Sequence, residues 1–172
     1  MSVKVEMNSE RLLLRELTED DVTDRYLGWL RDGDAMKFIT AASRTKGMQD
    51  LKEYVCQRIG RDDVLFLGIF DKESGLHIGN IKYEPVDPAE GYAVMGILIG
   101  DPGCRGKGVG TDALVTSAKW LKEHRGIRQI VLGVYEDNVA GVKSYEKAGF
   151  VVADTPYIEK YAPGQITMVW NL

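Results

Sequence analysis

Apolar residues along the chain follow two different spacings, and the changes between them predict the order of helices and strands. Spacings of three and four residues, typical of a helix packed on one side, occur near 22–30, 49–61, 109–124 and 139–148. Continuous or alternating apolar runs, typical of strands, occur at 11–17, 64–71, 76–84, 92–99, 128–135, 150–153 and 166–170. This order predicts a mixed α/β fold without a repeat or a linker, so we expect one domain over residues 1–172.

Capping signals place the ends of several predicted helices. Thr18 precedes three acidic residues, which is typical of an N-cap, so we expect the first helix to begin there. Asn138 is expected to cap the short fourth helix. Gly149 stands just after that helix, where a glycine in the left-handed conformation commonly ends one.

The strand at 76–84 carries an alternating pattern. Residues 72–75 are expected to form a hairpin turn before it, and residues 85–91 a loop after it. Because successive side chains of a strand point to opposite faces, we expect Ile78 and Asn80 on one face and His77 on the other.

Composition and charge narrow the class of protein. Of the 172 residues, 44% are hydrophobic and 28% charged, which is typical of a globular domain with a core. The net charge of −4 argues against a nucleic-acid-binding surface, and no apolar run is long enough to span a membrane. The polar N-terminus does not resemble a signal peptide, and the two cysteines and two histidines form no metal pattern. We therefore expect a cytoplasmic protein with no metal and no nucleic-acid or membrane partner.

Residues 94–113 hold the strongest chemical signal. An apolar run ends in a turn and is followed by a basic, glycine-rich loop that leads into a helix. The first backbone N–H groups of a helix have no partner within the helix and attract anions. Gly106, Gly108 and Gly110 let the backbone approach a ligand closely, and Arg105 and Lys107 add positive charge. The stretch predicts a pyrophosphate-binding loop.

Two motifs within this loop leave the ligand open. The spacing Arg105-x-x-Gly108-x-Gly110 resembles the (Gln/Arg)-x-x-Gly-x-(Gly/Ala) signature of the GNAT N-acetyltransferases, whose loop holds the pyrophosphate of acetyl-CoA. The letters from Gly108 to Ala113 also match the G-x-G-x-x-A fingerprint of dinucleotide-binding proteins. A third interpretation is a glycine-rich turn without a ligand.

A second motif favours the GNAT interpretation. Residues 134–150 resemble another GNAT hallmark, a strand followed by Asn and then by Tyr and Gly-Phe; the matching positions are Asn138, Gly141, Tyr145, Lys147, Gly149 and Phe150. The order of elements resembles this family over nearly the whole chain, which implies the GNAT acyl-CoA N-acyltransferase fold. In a Rossmann fold the glycine loop follows its strand at once and normally opens the domain. Here several residues separate the strand from the loop, and three predicted strands come earlier, so the dinucleotide interpretation is disfavoured.

A narrower resemblance concerns the branch of the family. Residues 10–15 resemble the opening of RimJ/RimL-like members. Residues 26–30 and 78–82 resemble members that acetylate amino groups on nucleotide-linked sugars. The leading acceptor is therefore a small primary amine such as a nucleotide-linked amino sugar, with a protein N-terminus or a polyamine as alternatives. A non-catalytic acyl-CoA-binding module and a homodimer are also compatible with the sequence.

The resemblance implies a reaction and a set of site residues. Acetyl-CoA would serve as co-substrate, and the amine would attack it directly, without a covalent enzyme intermediate. Tyr145 is expected to protonate the departing sulfur, because a phenol is well matched to a thiolate. The residues expected to bind acetyl-CoA are Ile97, Leu98, Ile99, Arg105, Gly106, Lys107, Gly108, Val109, Gly110, Thr111 and Asn138.

Two features of the expected site stay open. The general base is a choice among Glu84, Glu90, Asp101, His77 and a chain of water molecules. The acceptor pocket is expected between the first two helices and the late loops, with aromatic residues that could line it: Tyr26, Trp29, Phe38, Tyr83, Tyr157 and Tyr161.

Overall fold

The computed structural model of the protein describes residues 4–32, 45–159 and 162–172, which contain one eight-stranded sheet. Its strands are β1 (Glu6–Asn8), β2 (Leu12–Glu16), β3 (Leu65–Asp71), β4 (His77–Asp87), β5 (Tyr92–Ile99), β6 (Gln129–Tyr135), β7 (Val151–Val152) and β8 (Gln165–Asn171). They lie in the order β1-β2-β3-β4-β5-β6-β8-β7. Only the β5–β6 pair is parallel, and all other neighbours within this sheet are antiparallel.

Four α-helices pack on this sheet in the described part of the chain: α1 (Asp24–Leu30), α2 (Met48–Cys56), α3 (Val109–Arg125) and α4 (Val139–Ala148). The order of elements confirms the mixed α/β fold that the sequence predicts. Gly149 has a φ of +122° and ends α4, and the N–H of Phe150 reaches back to the carbonyl of Tyr145 at 3.0 Å. The glycine-ended helix was therefore predicted correctly.

Several boundaries differ from those predicted. Thr18 caps a short 3-10 turn over Glu19–Asp21 and not an α-helix. The α-helix begins later, where the hydroxyl oxygen of Thr23 accepts from the N–H of Tyr26 at 3.3 Å. The segment therefore contains two capped turns, because two Thr residues followed by acidic side chains offer two N-caps.

Strand β4 differs most from its prediction. It continues through Pro85 to Asp87, where a loop was expected. Its alternation is broken beside the hairpin, since Ile69 pairs with Gly79 while the next residue, Phe70, pairs with His77. This bulge places an extra residue, Ile78, in the strand and reverses the faces around it. His77 consequently lies on the same side as Asn80, with His77 Nε2 2.7 Å from Asn80 Oδ1, so the prediction for these side chains was wrong.

The two faces of the sheet carry separate apolar cores. Helix α3 covers one face with the stripe that the sequence predicts, the buried residues Ala113, Leu114, Ala118 and Leu121. Helices α1 and α2 cover part of the other face through a second cluster that includes Tyr26, Trp29, Leu51 and Val55. The central strands thus lie between two layers of helices.

Candidate active site

The parallel strands β5 and β6 separate part-way along their length. They pair only over Tyr92–Val94 and Gln129–Val131, although β5 continues to Ile99 and β6 to Tyr135. Beyond that point β5 stays paired with β4, and β6 stays paired with β8. The sheet therefore contains a fissure between two central strands, open toward their carboxyl ends.

Backbone groups of β5 face this fissure. The N–H of Gly100 donates to the carbonyl of Ile78 at 2.9 Å, which makes Ile99 and Gly79 a pair without mutual hydrogen bonds. Because the pattern alternates along antiparallel strands, Leu98 directs its backbone to Asn80 on β4. Ile97 and Ile99 direct theirs into the fissure, where an extended ligand could pair with them like an added strand.

The glycine loop is separated from β5 by Asp101 and a 3-10 turn over Pro102–Cys104, and it ends at the N-terminus of α3. Gly106 and Gly108 have φ values of +72° and +77°, a conformation that glycine adopts without strain. Gly108 occupies the N-cap position of α3 and offers no side chain to accept from the first turn. The N–H groups of Val109, Gly110 and Thr111 are therefore available to an anion, with the positive end of the helix dipole behind them.

The two basic side chains of the loop have different roles. Arg105 Nε donates to the carbonyl of Ile99 at 3.0 Å, and its terminal nitrogen lies 3.2 Å from a carboxylate oxygen of Asp32. Arg105 thus holds the loop in shape as well as adding charge. The Lys107 side chain is exposed, and its carbonyl accepts from Arg11 at 2.8 Å. Arg11 also pairs with Asp112 at 3.5 Å and so fixes the loop from the outside.

Helix α1 fixes the start of the same loop. Trp29 lies flat against Gly100, so that a Cβ atom at Gly100 would meet the indole. Arg25 lies one helical turn away and pairs with Asp101 at 2.7 Å. The sequence does not reveal these contacts, because the partners of Arg25, Trp29 and Asp32 are more than 70 positions away in the sequence.

Helix α4 follows β6, on the other side of the fissure, with Asn138 at its N-cap and Tyr145 about two turns farther along. Asn138 follows β6 and caps α4, because its Oδ1 accepts from the N–H of Gly141 at 3.1 Å. Thr111 and Ser144 hydroxyls lie 3.4 Å apart, so the first turn of α3 touches the residue beside Tyr145. Burial raises the pKa of Tyr145 to about 12, which keeps its hydroxyl protonated at neutral pH.

On the face of the sheet opposite α3, two glycines beside the fissure are exposed. Gly96 is exposed in the middle of β5, and a Cβ atom built there would meet nothing within 4 Å. Gly133 is likewise exposed on β6. Central strands of a sheet are normally covered by another layer. A Cβ atom at Gly133 would meet only Ile158, at 3.9 Å, among the described residues. The two exposed glycines on the separating strands therefore form a cleft that gives access to the fissure.

A sequence profile that describes an acetyltransferase (GNAT) domain matches residues 11–151. The chain belongs to the GNAT acetyltransferase family. Among its relatives, the uncharacterized N-acetyltransferase YobR of Bacillus subtilis (strain 168) is 31% identical over 85 residues, or 49% of this chain and 32% of YobR. The chain thus spans about a third of the length of that relative.

Solved GNAT structures share the fold over almost the whole chain. RimL, a ribosomal L7/L12 alpha-N-protein acetyltransferase in complex with coenzyme A, superposes with a TM-score of 0.84 at 16% identity and covers 98% of both chains. A spermidine N-acetyltransferase from Vibrio cholerae in complex with CoA and spermine gives 0.79 at 19% identity, over 95% of this chain and 96% of that one. At these identities the likeness shows the fold, which confirms the GNAT architecture expected from the sequence.

The candidate bases of this GNAT domain occupy different settings. Burial alone would raise the pKa of Glu84, but hydrogen bonds and ion pairs with Arg58 and Lys82 hold that pKa below its usual value. Asp101 is paired with Arg25, and Glu90 lies in the β4–β5 turn, at the opposite end of β5 from the glycine loop. Both Glu84 and Asp101 therefore have structural partners.

His77 packs among aromatic rings beside α1. Its ring stacks on Phe70 at 4.8 Å and meets Trp29 edge-on at 4.9 Å. Burial lowers the pKa of His77, so its ring is neutral at pH 7. Because Nε2 bonds to Asn80, the described contacts give His77 a packing role.

The aromatic residues expected around the acceptor divide into several groups. Tyr26 and Trp29 are buried in the α1–α2 cluster, and the ring of Tyr157 stacks on Tyr92 at 3.7 Å. Tyr83 is fully buried on the α3 face, where its hydroxyl lies 2.8 Å from Ser117 Oγ, so its assignment to the acceptor pocket was wrong. Phe38 and Tyr161 fall outside the described residues.

Two further properties concern the described residues alone. None of the helices there is both long and apolar enough to cross a membrane. The same residues contain no group of three or more His, Cys, Asp or Glu side chains that could hold a metal ion.

Proposed function

We propose that the protein is an acetyl-CoA-dependent N-acetyltransferase that transfers the acetyl group directly to a primary amine. The observation that carries this proposal is the fissure between β5 and β6, which ends beside the N-terminus of α3. A narrow slot with backbone groups along one wall fits a pantetheine chain. An uncapped helix N-terminus at its end fits a pyrophosphate.

The residues of the fissure divide the binding of the co-substrate between them. Ile97 and Ile99 offer backbone groups to the pantetheine arm, and Asn138 offers its side-chain amide from the opposite wall. Val109, Gly110 and Thr111 offer N–H groups to the pyrophosphate, while Gly106 and Gly108 keep the loop close to it and Lys107 adds charge. Arg105 holds the loop that presents these groups.

The chemical step follows from this arrangement. Acetyl-CoA supplies the acetyl group and a thiolate leaving group. The lone pair of the acceptor amine forms the new C–N bond, the C–S bond breaks, and its electron pair goes to sulfur. Tyr145 holds a proton at its hydroxyl and donates it to that sulfur, while the amine loses a proton to solvent. An N–H facing the fissure stabilises the oxyanion as the carbonyl becomes tetrahedral.

The domain itself is proposed to be one GNAT unit over residues 1–172, acting on a small amine. The exposed Gly96 and Gly133 support a small acceptor that lies on the sheet. A protein N-terminus and a polyamine remain the rival acceptors.

The proposal is tested by measuring thiol release from acetyl-CoA with a panel of amines. The matched variant is Thr111→Glu, which places a carboxylate at the N-terminus of α3. An acidic residue there suits the helix dipole, so the fold should be retained while the pyrophosphate is excluded. The control is Thr116→Glu, farther along the same helix.

We expect amine-dependent thiol release in the wild type and in Thr116→Glu, and at least a tenfold rise in the KM for acetyl-CoA in Thr111→Glu. Binding of acetyl-CoA without thiol release for any amine would instead indicate a non-catalytic acyl-CoA-binding module. An unchanged KM for acetyl-CoA in Thr111→Glu would contradict the proposal that the N-terminus of α3 binds the pyrophosphate.

A further inference from the structure

A lysine borders the exposed cleft on its β4 side. Lys82 lies directly opposite Gly96 in the register of β4 and β5, and side chains of such a pair share one face of the sheet. Because Gly96 has no side chain, the stem of Lys82 forms the edge of the cleft at this point. The Lys82 side chain is 26% exposed, so a ligand over Gly96 could reach it.

Lys82 belongs to a fixed cluster of charges on this wall. Glu84 lies 3.3 Å from Lys82 Nζ, 2.8 Å from Arg58 Nε and 3.4 Å from Arg61. Asp63 also pairs with Arg61 at 2.7 Å. Within this cluster of described residues three cations share two carboxylates, so the cluster carries a surplus of one positive charge.

An aromatic ring holds the cationic side chains in place. The guanidinium of Arg58 lies 3.7 Å from the centre of the Tyr54 ring, and Lys82 Nζ donates to the Tyr54 hydroxyl. Contacts of this kind reduce the rotamer freedom that a long side chain would lose on binding a ligand. The wall is therefore arranged in advance for a negatively charged group.

A second cleft, which is acidic, lies where β6 ends. It has a volume of about 380 Å³ and is lined by Tyr135, Glu136, Asp137, Pro163 and Gly164. Its two acidic residues follow β6, at the open end of the fissure where the N-terminus of α3 is proposed to hold the pyrophosphate. An anionic group of the acceptor would be repelled from these carboxylates and attracted to the Lys82 wall.

We propose that the acceptor carries an anionic group, a phosphate or a carboxylate, in addition to its amine, and that Lys82 binds this group. This inference rests on the proposed N-acetyltransferase function and specifies its substrate class. It ranks an amino sugar that bears a phosphate above a polyamine, because a polyamine would place further positive charge against the Lys82 wall.

The test compares three amino sugars that share one amine and differ in charge, together with a polyamine. The probes are glucosamine, glucosamine 6-phosphate, muramic acid as the carboxylate-bearing amino sugar, and spermidine. Variants are Lys82→Met, which keeps the length of the side chain, and Lys82→Arg, which keeps the charge. The control is Lys119→Met, on the exposed side of α3.

We expect kcat/KM for at least one of the anionic sugars to exceed that of glucosamine about tenfold or more. Lys82→Met should remove this preference through a higher KM for the anionic sugar. It should lower kcat/KM for glucosamine much less than kcat/KM for the anionic sugar. Lys82→Arg and Lys119→Met should retain the preference. The phosphate-bearing and carboxylate-bearing probes then show which anion the wall prefers.

Two results would overturn the inference while the proposed function stands. One is a preference for spermidine or equal use of charged and uncharged sugars. The other is a Lys82→Met variant that lowers activity equally with every acceptor, which would indicate a structural role. Absence of thiol release with any amine would contradict the proposed function instead. Calorimetric titration of the anionic sugars into wild type and Lys82→Met with CoA present would then still test the Lys82 site, and equal or absent binding would overturn it.

Discussion

The two faces of strand β5 differ sharply although they belong to the same eight residues. On the α3 side, Ala93 and Met95 are 0% and 5% exposed and belong to the main core. On the opposite side, Gly96 is exposed and a Cβ atom there would meet open space. Strand β5 thus contributes to both the core and the cleft. The cleft forms because Gly96 has no side chain and because the parallel strand β6 separates from β5.

The helices on the two faces also differ in the kind of contact they make. Helix α3 packs through an apolar stripe, so its contribution is burial of hydrocarbon from water. Helix α1 has only seven residues and reaches the glycine loop through an ion pair and a ring contact, at Asp101 and Gly100. The α3 side thus supplies the larger core, and the α1 side holds the start of the glycine loop through directed contacts.

The largest expected effect is on turnover, and it comes from a residue on the α3 side of the sheet. Tyr145 packs against that core and contacts Phe150 with ring centres 5.9 Å apart, yet we assign it a proton transfer. Tyr145→Phe keeps the ring and removes the hydroxyl, so turnover should fall about 10²-fold or more while acetyl-CoA binding is retained. The measurement is kcat for thiol release together with the melting temperature. A lower melting temperature with an unchanged kcat would show that Tyr145 has a packing role and does not transfer the proton.

A smaller effect compares two glycines of the cleft side. A Cβ atom at Gly100 would lie 1.9 Å from Trp29, whereas one at Gly96 meets nothing within 4 Å. Gly100→Ala should therefore cost about 1–3 kcal/mol of unfolding free energy and weaken acetyl-CoA binding. Gly96→Ala should cost less than about 0.5 kcal/mol. Urea unfolding measures both. Equal losses would mean that the cleft is covered at Gly96 as it is at Gly100.

The smallest expected effect is the pH dependence of stability that arises from His77, which packs against Trp29 of α1. Burial lowers the pKa of His77, so protons bind more strongly to the unfolded chain than to the folded one. Its contribution to stability is complete above pH of about 6.5 and is lost as the pH falls through that value toward the folded-state pKa. The melting temperature should thus fall more steeply from pH 7 to 5.5 in the wild type than in His77→Phe.

Local sequence signals predicted the fold well. The apolar stripe of α3 and the cap at Asn138 depend on neighbours within a few positions, and both are present in the structure. The glycine loop was predicted for the same reason, since strand, loop and helix are consecutive. Such features follow from short-range geometry and need no knowledge of the rest of the chain.

Features that depend on distant contacts could not be predicted. The separation of β5 from β6 is set by their other neighbours in the sheet. The pairing of Arg25 with Asp101 joins residues 76 positions apart. Tyr83 and His77 were assigned to the wrong surroundings because side-chain alternation does not reveal a bulge or which face a helix will cover.

The central claim is that the fissure and the N-terminus of α3 hold acetyl-CoA, and a thermal melt tests it most directly. A ligand that binds only the folded state raises the midpoint by a free energy of RT ln(1 + [L]/Kd). Melting should be measured with acetyl-CoA, with NADH and without ligand. We predict a raised midpoint with acetyl-CoA alone. No shift with acetyl-CoA, or a shift with NADH only, would contradict the assignment of residues 94–113 as its binding site.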